Sequence, residues 1–311
     1  MKFEDSVLNF LSNLELTNRE STLVVARNNA LRDRLRQNAP FTLDTSKESV
    51  PLYGSYERDS QIRPKPDAKW ALDVDALVVL ESSKKNLDSF YHIGDGGWSL
   101  LGEVEKILKG YQGLEVTLDA PCVTTKWSTL KMKIEITPAF NAKGGGFLIP
   151  SSSAEWVWGN KWVHTNPLGD SKALSDGNKA CNFELKPLIK ALKCWNREHK
   201  ILSSFAIESL AYRTAVGNYK GFGYQLQWFF EQLLKLNGNT ILPPSGIGSP
   251  IKIDLGWNTS IVEDSLNKVR DAYFLADVNA SRQREAIGKM ARVFGPAFPL
   301  HSQISTLGFF R

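Results

Sequence analysis

The chain has 311 residues, of which 42% are hydrophobic and 23% are charged, a balance that is typical of globular proteins and excludes an intrinsically disordered chain. No apolar run approaches the roughly 18–20 residues that a transmembrane helix requires, so we expect no membrane partner. The net charge of +5 is too small for a protein that coats DNA, but it suits a cleft that attracts polyanionic small molecules.

The cysteines and the N-terminus indicate the compartment. Cys122, Cys181 and Cys194 are far apart and form no CxxC motif, so we expect neither a zinc site nor a disulfide framework. With 4 histidines and no HExxH motif, a transition-metal site is not expected either. The opening residues, MKFEDSVLNFLSNLEL, have helical spacing and no signal-peptide core. These features predict a cytoplasmic protein with buried, unpaired cysteines.

The first predicted element is a helix over residues 4–36, in which apolar residues recur at helical spacing. Its second part carries a group of arginines: Arg27, Arg32, Arg34 and Arg36. Two interpretations of this group stay open. A solvated helix face is favoured, and a basic patch for nucleic acid is the alternative.

Strand and helix alternate in the middle of the chain. The stretches SVPLYGS and LDVDALVVLES predict strands, with a helical turn and a loop between them. A helix is expected over residues 99–110, and two further strands at APCVTTKW and LKMKIEITPAF. The glycine-rich stretch NAKGGGFLIPSSS is expected to be a loop.

The second half is predicted to be helical from about residue 178. The apolar periodicity lies in CNFELKPLIKALKCWNREHK, SSFAIESLAYRTAV, GYQLQWFFEQLLKLNG and SRQREAIGKMARVFG. A strand-rich part followed by a helix-rich part predicts an α+β chain with two lobes that meet at a cleft.

Two aspartates alternate with apolar residues in LDVDA. Because successive side chains of a strand point to opposite faces, Asp73 and Asp75 share one face while their apolar neighbours are buried on the other. In LKMKIEITPAF, Glu135 lies on the polar face of a similar strand. If the two strands are neighbours, Glu135 completes a group of three acids.

Three neighbouring carboxylates stay ionised together only if a cation lies between them. Oxygen ligands without His or Cys favour Mg²⁺ or Mn²⁺, and two such ions about 4 Å apart can activate an attacking oxygen and hold a leaving phosphate. Upstream, Gly54 permits close approach of the backbone to a phosphate, and Ser55 adds a hydroxyl donor. Either motif alone also fits a solvated strand edge or an ordinary turn. Together they predict metal-dependent chemistry on a nucleoside triphosphate, with Asp73, Asp75 and Glu135 as catalytic metal ligands.

At these residues the chain resembles the nucleotidyltransferases of the polymerase-β superfamily, in which Gly-Ser precedes two acids on a strand and a later third acid. The stretch GSYERDSQIRP…LDVDALVVL resembles, more narrowly, the bacterial cGAS/DncV-like nucleotidyltransferases, which make cyclic oligonucleotide signals in anti-phage defence. Further similarity lies in WVHTNP, LKPLIKALKCWNR, SSFAIESL and IGKMARVFGPAFP, so the resemblance covers about residues 5–300. Two departures are Glu135, where many members have Asp, and a longer loop between Ser55 and Asp73.

The resemblance implies roles for residues that composition and spacing do not single out. Lys193 and Ser204 match positions that contact the donor's phosphates. Phe205 matches an aromatic position that stacks on a base, and Asn166 matches one that lines a base pocket. The alternatives are a surface lysine, a core aromatic residue and an ordinary turn residue.

The implied fold is polymerase-β-like, with a mixed-sheet lobe packed against a helical lobe and the active site in the cleft between them. We assign residues 1–165 to the catalytic lobe with its N-terminal helix, and residues 166–311 to the helical lobe. The implied cofactors are two ions of Mg²⁺ or Mn²⁺, and Glu135 is also the candidate base for the acceptor hydroxyl.

The implied reaction joins nucleoside triphosphates (ATP, GTP or a pyrimidine nucleotide) into a cyclic oligonucleotide, expected to be a dinucleotide, and releases pyrophosphate. Nucleic acid is not required, and a protein that senses the product is the implied partner. Two other functions stay open: a template-independent transferase that acts on RNA ends, and a non-catalytic nucleotide-binding module on the same fold.

Overall fold

The computed structural model describes residues 2–45, 48–65, 68, 72–91, 96–151, 162–278 and 280–300. The chain divides into two compact units. The sheet unit comprises Leu16–Asp176 and Leu242–Pro250, and the helical unit comprises Met1–Glu15, Gly177–Ile241 and Ile251–Arg311.

The helices are α1 (Phe3–Asn13), α2 (Asn18–Asn38), α3 (Gly54–Glu57), α4 (Lys84–Asn86), α5 (Gly96–Lys109), α6 (Pro167–Ala180), α7 (Leu185–His199), α8 (Ser204–Ala215), α9 (Phe222–Lys235), α10 (Thr259–Val278) and α11 (Gln283–Phe294). The strands are β1 (Leu52–Tyr53), β2 (Leu72–Leu80), β3 (Glu115–Asp119), β4 (Cys122–Trp127), β5 (Met132–Asn141), β6 (Phe147–Pro150), β7 (Trp162–Thr165), β8 (Thr240–Ile241) and β9 (Ile251–Lys252). Short 3₁₀ or π turns occupy Leu87–Tyr91, Ser128–Leu130, Ala280–Arg282 and Gly295–Ala297.

A mixed sheet forms the centre of the sheet unit. Among the described residues it has seven strands in the order β1-β2-β5-β4-β3, and β6 and β7 extend it from β5. β2 and β5 pair in parallel, whereas β1 and β4 lie antiparallel to them. Val74 of β2 and Ile134 of β5 are fully buried in the core that α2 and α5 help to cover. Since side chains alternate along a strand, the polar residues of both strands lie on the opposite face.

The first predicted helix is two helices, because a capping box starts α2. The Oγ1 atom of Thr17 accepts a hydrogen bond from the Glu20 N–H at 3.3 Å, and the Glu20 carboxylate accepts one from the Thr17 N–H at 2.6 Å. These bonds satisfy N–H groups that the first turn of a helix leaves without a partner. A new helix therefore begins at Asn18.

α1 packs with the C-terminal helices of its unit. The Phe10 ring is fully buried, with its centroid 4.7 Å from that of Phe294 and 5.1 Å from that of Phe298. The structure thus places α1 in the helical unit, whereas the sequence-based division groups it with residues 1–165. The reason is a long-range apolar contact that spacing along the chain does not reveal. The boundary at residue 165 stays a prediction.

The predicted loop NAKGGGFLIPSSS contains a strand. β6 spans Phe147–Pro150 and pairs with β5 and β7, and only the residues before it form a turn. Gly144, Gly145 and Gly146 all have positive φ in that turn, which explains the glycine-rich composition. Residues 152 and 153 of the stretch lie outside the described residues. β3, α6 and α10 lie where the sequence analysis assigned no element.

The arginines of α2 take part in packing. Arg34 donates to the Ile107 carbonyl at 3.2 Å, and Arg36 donates to Ser49 Oγ at 3.0 Å. These contacts favour a structural helix face over a nucleic-acid patch. The predicted state of the cysteines is confirmed, since Cys122, Cys181 and Cys194 are all buried and free. In the part of the chain that the structure describes, no helix combines the length and apolar character of a membrane span.

Candidate active site

The predicted acids lie on one face of the sheet. In the parallel register of β2 and β5, Asp75 is opposite Glu135 and Asp73 is opposite Lys133. Val74, between the two aspartates, is fully buried, while Asp73 is exposed and Asp75 is half-buried. The pairing that the sequence analysis required of these two strands is therefore present.

Gly54 brings the turn after β1 against Asp75. Tyr53 pairs with Asp75 in the β1–β2 register, and Gly54 follows it with a φ of +73°. A Cβ atom on Gly54 would overlap the Asp75 carboxylate, so only glycine permits this approach. The Ser55 carbonyl accepts hydrogen bonds from the N–H groups of Ser60 and Gln61 at 2.9 and 3.0 Å, which closes the turn.

Lys133 lies between two of the acids, although the sequence analysis did not assign it to the site. Its Nζ atom is 3.1 Å from Asp73 Oδ2 and 2.7 Å from Glu135 Oε1. Burial lowers the pKa of the amine, but the two carboxylates outweigh burial and raise the pKa above its usual value, so the group is a cation. The signal in the sequence was its place two residues before Glu135, on the same face of β5.

Burial and mutual repulsion act on the aspartates. Burial raises the pKa of Asp75 to about 7, helped by the charges of Asp73 and Glu135 and opposed by Arg58 and Lys133. Burial also raises the pKa of Asp73, against the lowering effect of Lys133. Because 59% of the Asp73 side chain is exposed, water screens the charge of Asp73 more effectively than the charge of Asp75. The cluster is a place where a cation is strongly favoured.

The donor set of the cluster suits a hard divalent ion, because its three acids offer carboxylate oxygens, the ligands that such ions prefer. As the side chains are placed, however, no group of three or more His, Cys, Asp and Glu within the described ranges is arranged to hold a metal ion. The ammonium of Lys133 takes the position between Asp73 and Glu135. The role of the three acids as metal ligands thus stays a prediction.

Three more side chains that the sequence analysis did not assign lie around the acids. Gln61 Nε2 donates to the Asp73 carbonyl at 3.0 Å. Arg58 is 6% exposed and lowers the pKa of Asp75. The Tyr53 hydroxyl is 3.0 Å from Thr137 Oγ1, and burial followed by the Asp75 charge raises its pKa. Arg58 and Gln61 stand in the stretch that carries the resemblance, which is the signal that could have identified them.

Asn166 caps a helix. Its Oδ1 atom accepts a hydrogen bond from the Gly169 N–H at 3.0 Å, in the first turn of α6, as expected of an N-cap residue. The side chain packs so closely on Gly169 that a Cβ there would overlap its amide. The alternative of a turn residue thus has a definite structural basis, and the predicted contact with a base stays a prediction.

Lys193, Ser204 and Phe205 belong to the helical unit. Lys193 of α7 is only 6% exposed and forms an ion pair with Glu208 of α8, which is fully buried. It is therefore not the surface lysine of the alternative interpretation. Ser204 is exposed at the first position of α8 and lies one helical turn before Glu208, on the same side of the helix. Phe205 is half-buried.

Comparison with known proteins agrees with these features. A family model described as the Second Messenger Oligonucleotide or Dinucleotide Synthetase domain matches residues 1–178. A cyclic AMP-AMP-AMP synthase of Acinetobacter sp. is 27% identical over 203 residues, which are 64% of this chain and 53% of that protein. A probable cyclic nucleotide synthase of Bacillus cereus is 26% identical over 284 residues, which are 80% of this chain and 82% of that protein. The chain thus matches about half the length of the first relative and most of the second.

Solved structures show the same fold. The structure of E. coli MS115-1 CdnC with ATP superposes with a TM-score of 0.67 at 15% identity and covers 95% of this chain and 98% of that chain. The Vibrio cholerae DncV cyclic AMP-GMP synthase superposes with a TM-score of 0.68 at 14% identity and covers 93% of both chains. The predicted polymerase-β-like α+β fold and the resemblance to the cGAS/DncV-like nucleotidyltransferases, a group of enzymes, are confirmed. Because the family model covers more than half of its residues, this chain belongs to the Second Messenger Oligonucleotide or Dinucleotide Synthetase family.

Proposed function

We propose that this protein is a metal-dependent cyclic oligonucleotide synthase that joins nucleoside triphosphates and releases pyrophosphate. The observation that carries the proposal is the face of the sheet on which Asp75 lies opposite Glu135 while Gly54 approaches the Asp75 carboxylate. The names of the relatives add support, since one makes cyclic AMP-AMP-AMP and another makes cyclic AMP-GMP. A cyclic dinucleotide remains our expected product.

In this proposal, three acids form the catalytic centre of the enzyme. Asp73, Asp75 and Glu135 would hold two ions of Mg²⁺ or Mn²⁺. When bound, these ions would make the attacking hydroxyl more acidic and neutralise charge on the phosphates. Glu135 accepts the proton of the acceptor's ribose hydroxyl. The hydroxyl oxygen then bonds to the α-phosphorus of the donor, and the bond from this phosphorus to the oxygen that bridges to the β-phosphate breaks, so pyrophosphate leaves. The linear product turns round, and the same transfer from its free ribose hydroxyl to its own α-phosphorus closes the ring and releases a second pyrophosphate.

The other predicted residues position the substrates. The turn at Gly54 and Ser55 holds the triphosphate against the acids, because a residue without Cβ leaves room for a close approach. We assign Lys193 and Ser204 to the donor's phosphates, Phe205 to stacking on a base and Asn166 to a base edge. Lys193 pairs with Glu208, one helical turn after Ser204, so the two residues assigned to the phosphates lie on neighbouring turns of α7 and α8, and a contact of Lys193 with phosphate would share or replace this ion pair. Fixing reactants in this way contributes to the rate by orientation.

The cellular role that we propose follows from the resemblance. The product would act as a second messenger in bacterial anti-phage signalling in the cytoplasm, where a protein partner senses it. A solved complex of E. coli CdnC with a HORMA protein is one case in which a structural neighbour assembles with another protein.

The test is the product made by the purified protein. Labelled ATP, GTP, CTP and UTP are incubated with Mg²⁺, treated with phosphatase and analysed by mass. We expect a small phosphatase-resistant product with the mass of a cyclic oligonucleotide. Extended RNA would support the transferase that acts on RNA ends instead, and nucleotide binding without turnover would support the non-catalytic module.

Two variants, each with one acid replaced, test whether the activity depends on the acid cluster. Asp73→Asn should abolish the product and leave the circular dichroism spectrum unchanged. Glu115→Gln is the control, because Glu115 is a half-exposed acid on β3, two strands from β5, that pairs with Lys126 rather than with an acid or Lys133 of the cluster. Product formation by Asp73→Asn at the rate of the parent protein would contradict the assigned role.

A further inference from the structure

Lys133 is a cation that lies between two acids of the cluster, while Arg58 acts on Asp75. Its Nζ atom contacts Asp73 and Glu135, which come from two different strands. The parallel register sets Lys133 directly opposite Asp73 and two residues before Glu135. Its side chain is only 20% exposed, so the contact is held by the packing of the sheet rather than by a freely moving surface side chain.

An ammonium in this position and a divalent ion compete for the same oxygens. Both stabilise the ionised carboxylates, and two cations beside the same oxygen atoms repel each other. Binding of a metal ion to Asp73 Oδ2 and Glu135 Oε1 therefore requires that Lys133 moves away from them.

We propose that Lys133 is a positioning residue that acts as the internal counter-ion of the acid cluster, and that a divalent ion must displace it. This inference rests on the proposed function, in which Asp73 and Glu135 bind metal. The metal alone binds weakly because it has to displace Lys133. When the metal arrives together with a triphosphate, the phosphate oxygens of the nucleotide can pair with the displaced ammonium of Lys133.

Mn²⁺ binding without nucleotide tests the inference, because the unbound ion is measured directly by electron paramagnetic resonance. We expect Lys133→Met to bind Mn²⁺ at least tenfold more tightly than the parent protein, since no ammonium has to be displaced. Lys133→Arg keeps the counter-ion and should stay within about threefold of the parent protein. In EDTA, Lys133→Met should unfold at a lower temperature, and saturating Mn²⁺ should restore more of its stability than in the parent protein.

Lys126→Met is the matched control. Lys126 lies on β4 directly beside Lys133 in the register, has a similar exposure of 22%, and pairs with Glu115 at 3.1 Å. Because Lys126 lies one strand further from the acids and pairs with Glu115, its loss should change the Mn²⁺ affinity by less than about threefold. If Lys133→Met does not fold, Lys133→Gln, which retains a polar side chain without the charge, replaces it in the same measurement.

The outcomes separate this inference from the proposed function. Unchanged or weaker Mn²⁺ binding by Lys133→Met, in a protein that still makes the product, would overturn the counter-ion role alone. Failure of both the parent protein and Lys133→Met to bind Mn²⁺, with nucleotide as well as without it, would overturn the metal assignment and this inference with it. Equal tightening in Lys126→Met would show a general charge effect and would also overturn the specific role of Lys133.

Discussion

At the scale of single residues, Gly54 shows how the absence of a side chain permits a close contact between the backbone and the Asp75 carboxylate. Its φ of +73° lies in the left-handed region, and its missing Cβ leaves the space that the Asp75 carboxylate uses. Either requirement alone would favour glycine. Together they mean that another residue at this position changes both the turn and the acid cluster.

We predict that Gly54→Ala lowers kcat/KM at least a hundredfold, because the new methyl group pushes Asp75 out of place. The control is Gly113→Ala. Gly113 has a similar φ of +77°, but a Cβ there meets no atom within 4 Å. Both variants should lose about 1 kcal/mol of stability from the left-handed conformation, and only Gly54→Ala should lose activity. Similar activity in the two variants would contradict the importance of the close approach.

The raised pKa of Asp75 predicts a pH dependence of stability. Burial, followed by the charges of Asp73 and Glu135, raises this pKa from the usual 3.8 to about 7, so the folded protein holds a proton there that the unfolded chain has released. Between about pH 4 and pH 7 the free energy of unfolding should therefore fall as pH rises. Asp75→Asn removes this group and should be more stable than the parent protein at pH 8, by an amount on the order of 2 kcal/mol.

The measurement is urea unfolding of both proteins in EDTA at pH 4 and pH 8. The stability difference should be small at the lower pH and grow until it levels off above pH 7. An equal difference at both pH values would contradict the raised pKa of Asp75.

At the scale of elements, the N-terminus of α6 joins a structural role to a predicted functional one. Asn166 caps this helix through its Oδ1 atom, and the resemblance assigns the same side chain to a base. Asn166→Asp separates the two roles, because a carboxylate oxygen can still cap the helix but the amide donor is lost.

We predict that Asn166→Ala loses about 1 kcal/mol of stability through the missing cap, whereas Asn166→Asp does not. If Asn166 contacts a base, Asn166→Asp should raise KM for at least one nucleotide about tenfold, which corresponds to about one hydrogen bond. Thermal unfolding and initial rates with each of the four nucleotides check the two parts. Unchanged KM values for all four would leave Asn166 with the cap alone.

At the scale of the whole molecule, the two ends of the described chain meet within one unit. α1 packs on α7 and α11, and Phe10 fills the space between Phe294 and Phe298. The predicted acids, in contrast, all lie in the sheet unit. Damage to the apolar contact of α1 is therefore expected to act first on the helical unit.

We predict that Phe10→Ala costs about 3–5 kcal/mol, the usual cost of deleting a buried aromatic side chain. Hydrogen exchange should accelerate in α11 before it accelerates in β2 and β5. Leu8→Ala is the control, because Leu8 lies on the same helix with 66% of its surface exposed and should change stability by less than about 0.5 kcal/mol. Faster exchange in β2 than in α11 would contradict the assignment of α1 to the helical unit.

Short stretches of sequence determined most of the strands and helices of this protein and the faces on which the acids lie. The alternation in LDVDALVVL and LKMKIEITPAF predicts two strands with one buried face, and it places Asp73, Asp75 and Glu135 on polar faces. The Gly-Ser pair marks the turn, and apolar periodicity marks most of the later helices. These features are local, because a strand or a helix repeats within a few residues and its pattern is visible without knowledge of its neighbours.

The rest was decided only by the tertiary structure. The register that sets Asp75 opposite Glu135, and Lys133 between two acids, arises when the apolar faces of β2 and β5 are buried together. The pairing of Lys193 with Glu208 and the packing of α1 likewise join residues that are distant in the chain or on different helices. Burial of apolar surface drives such contacts, and it depends on the shape of the whole unit rather than on any short stretch.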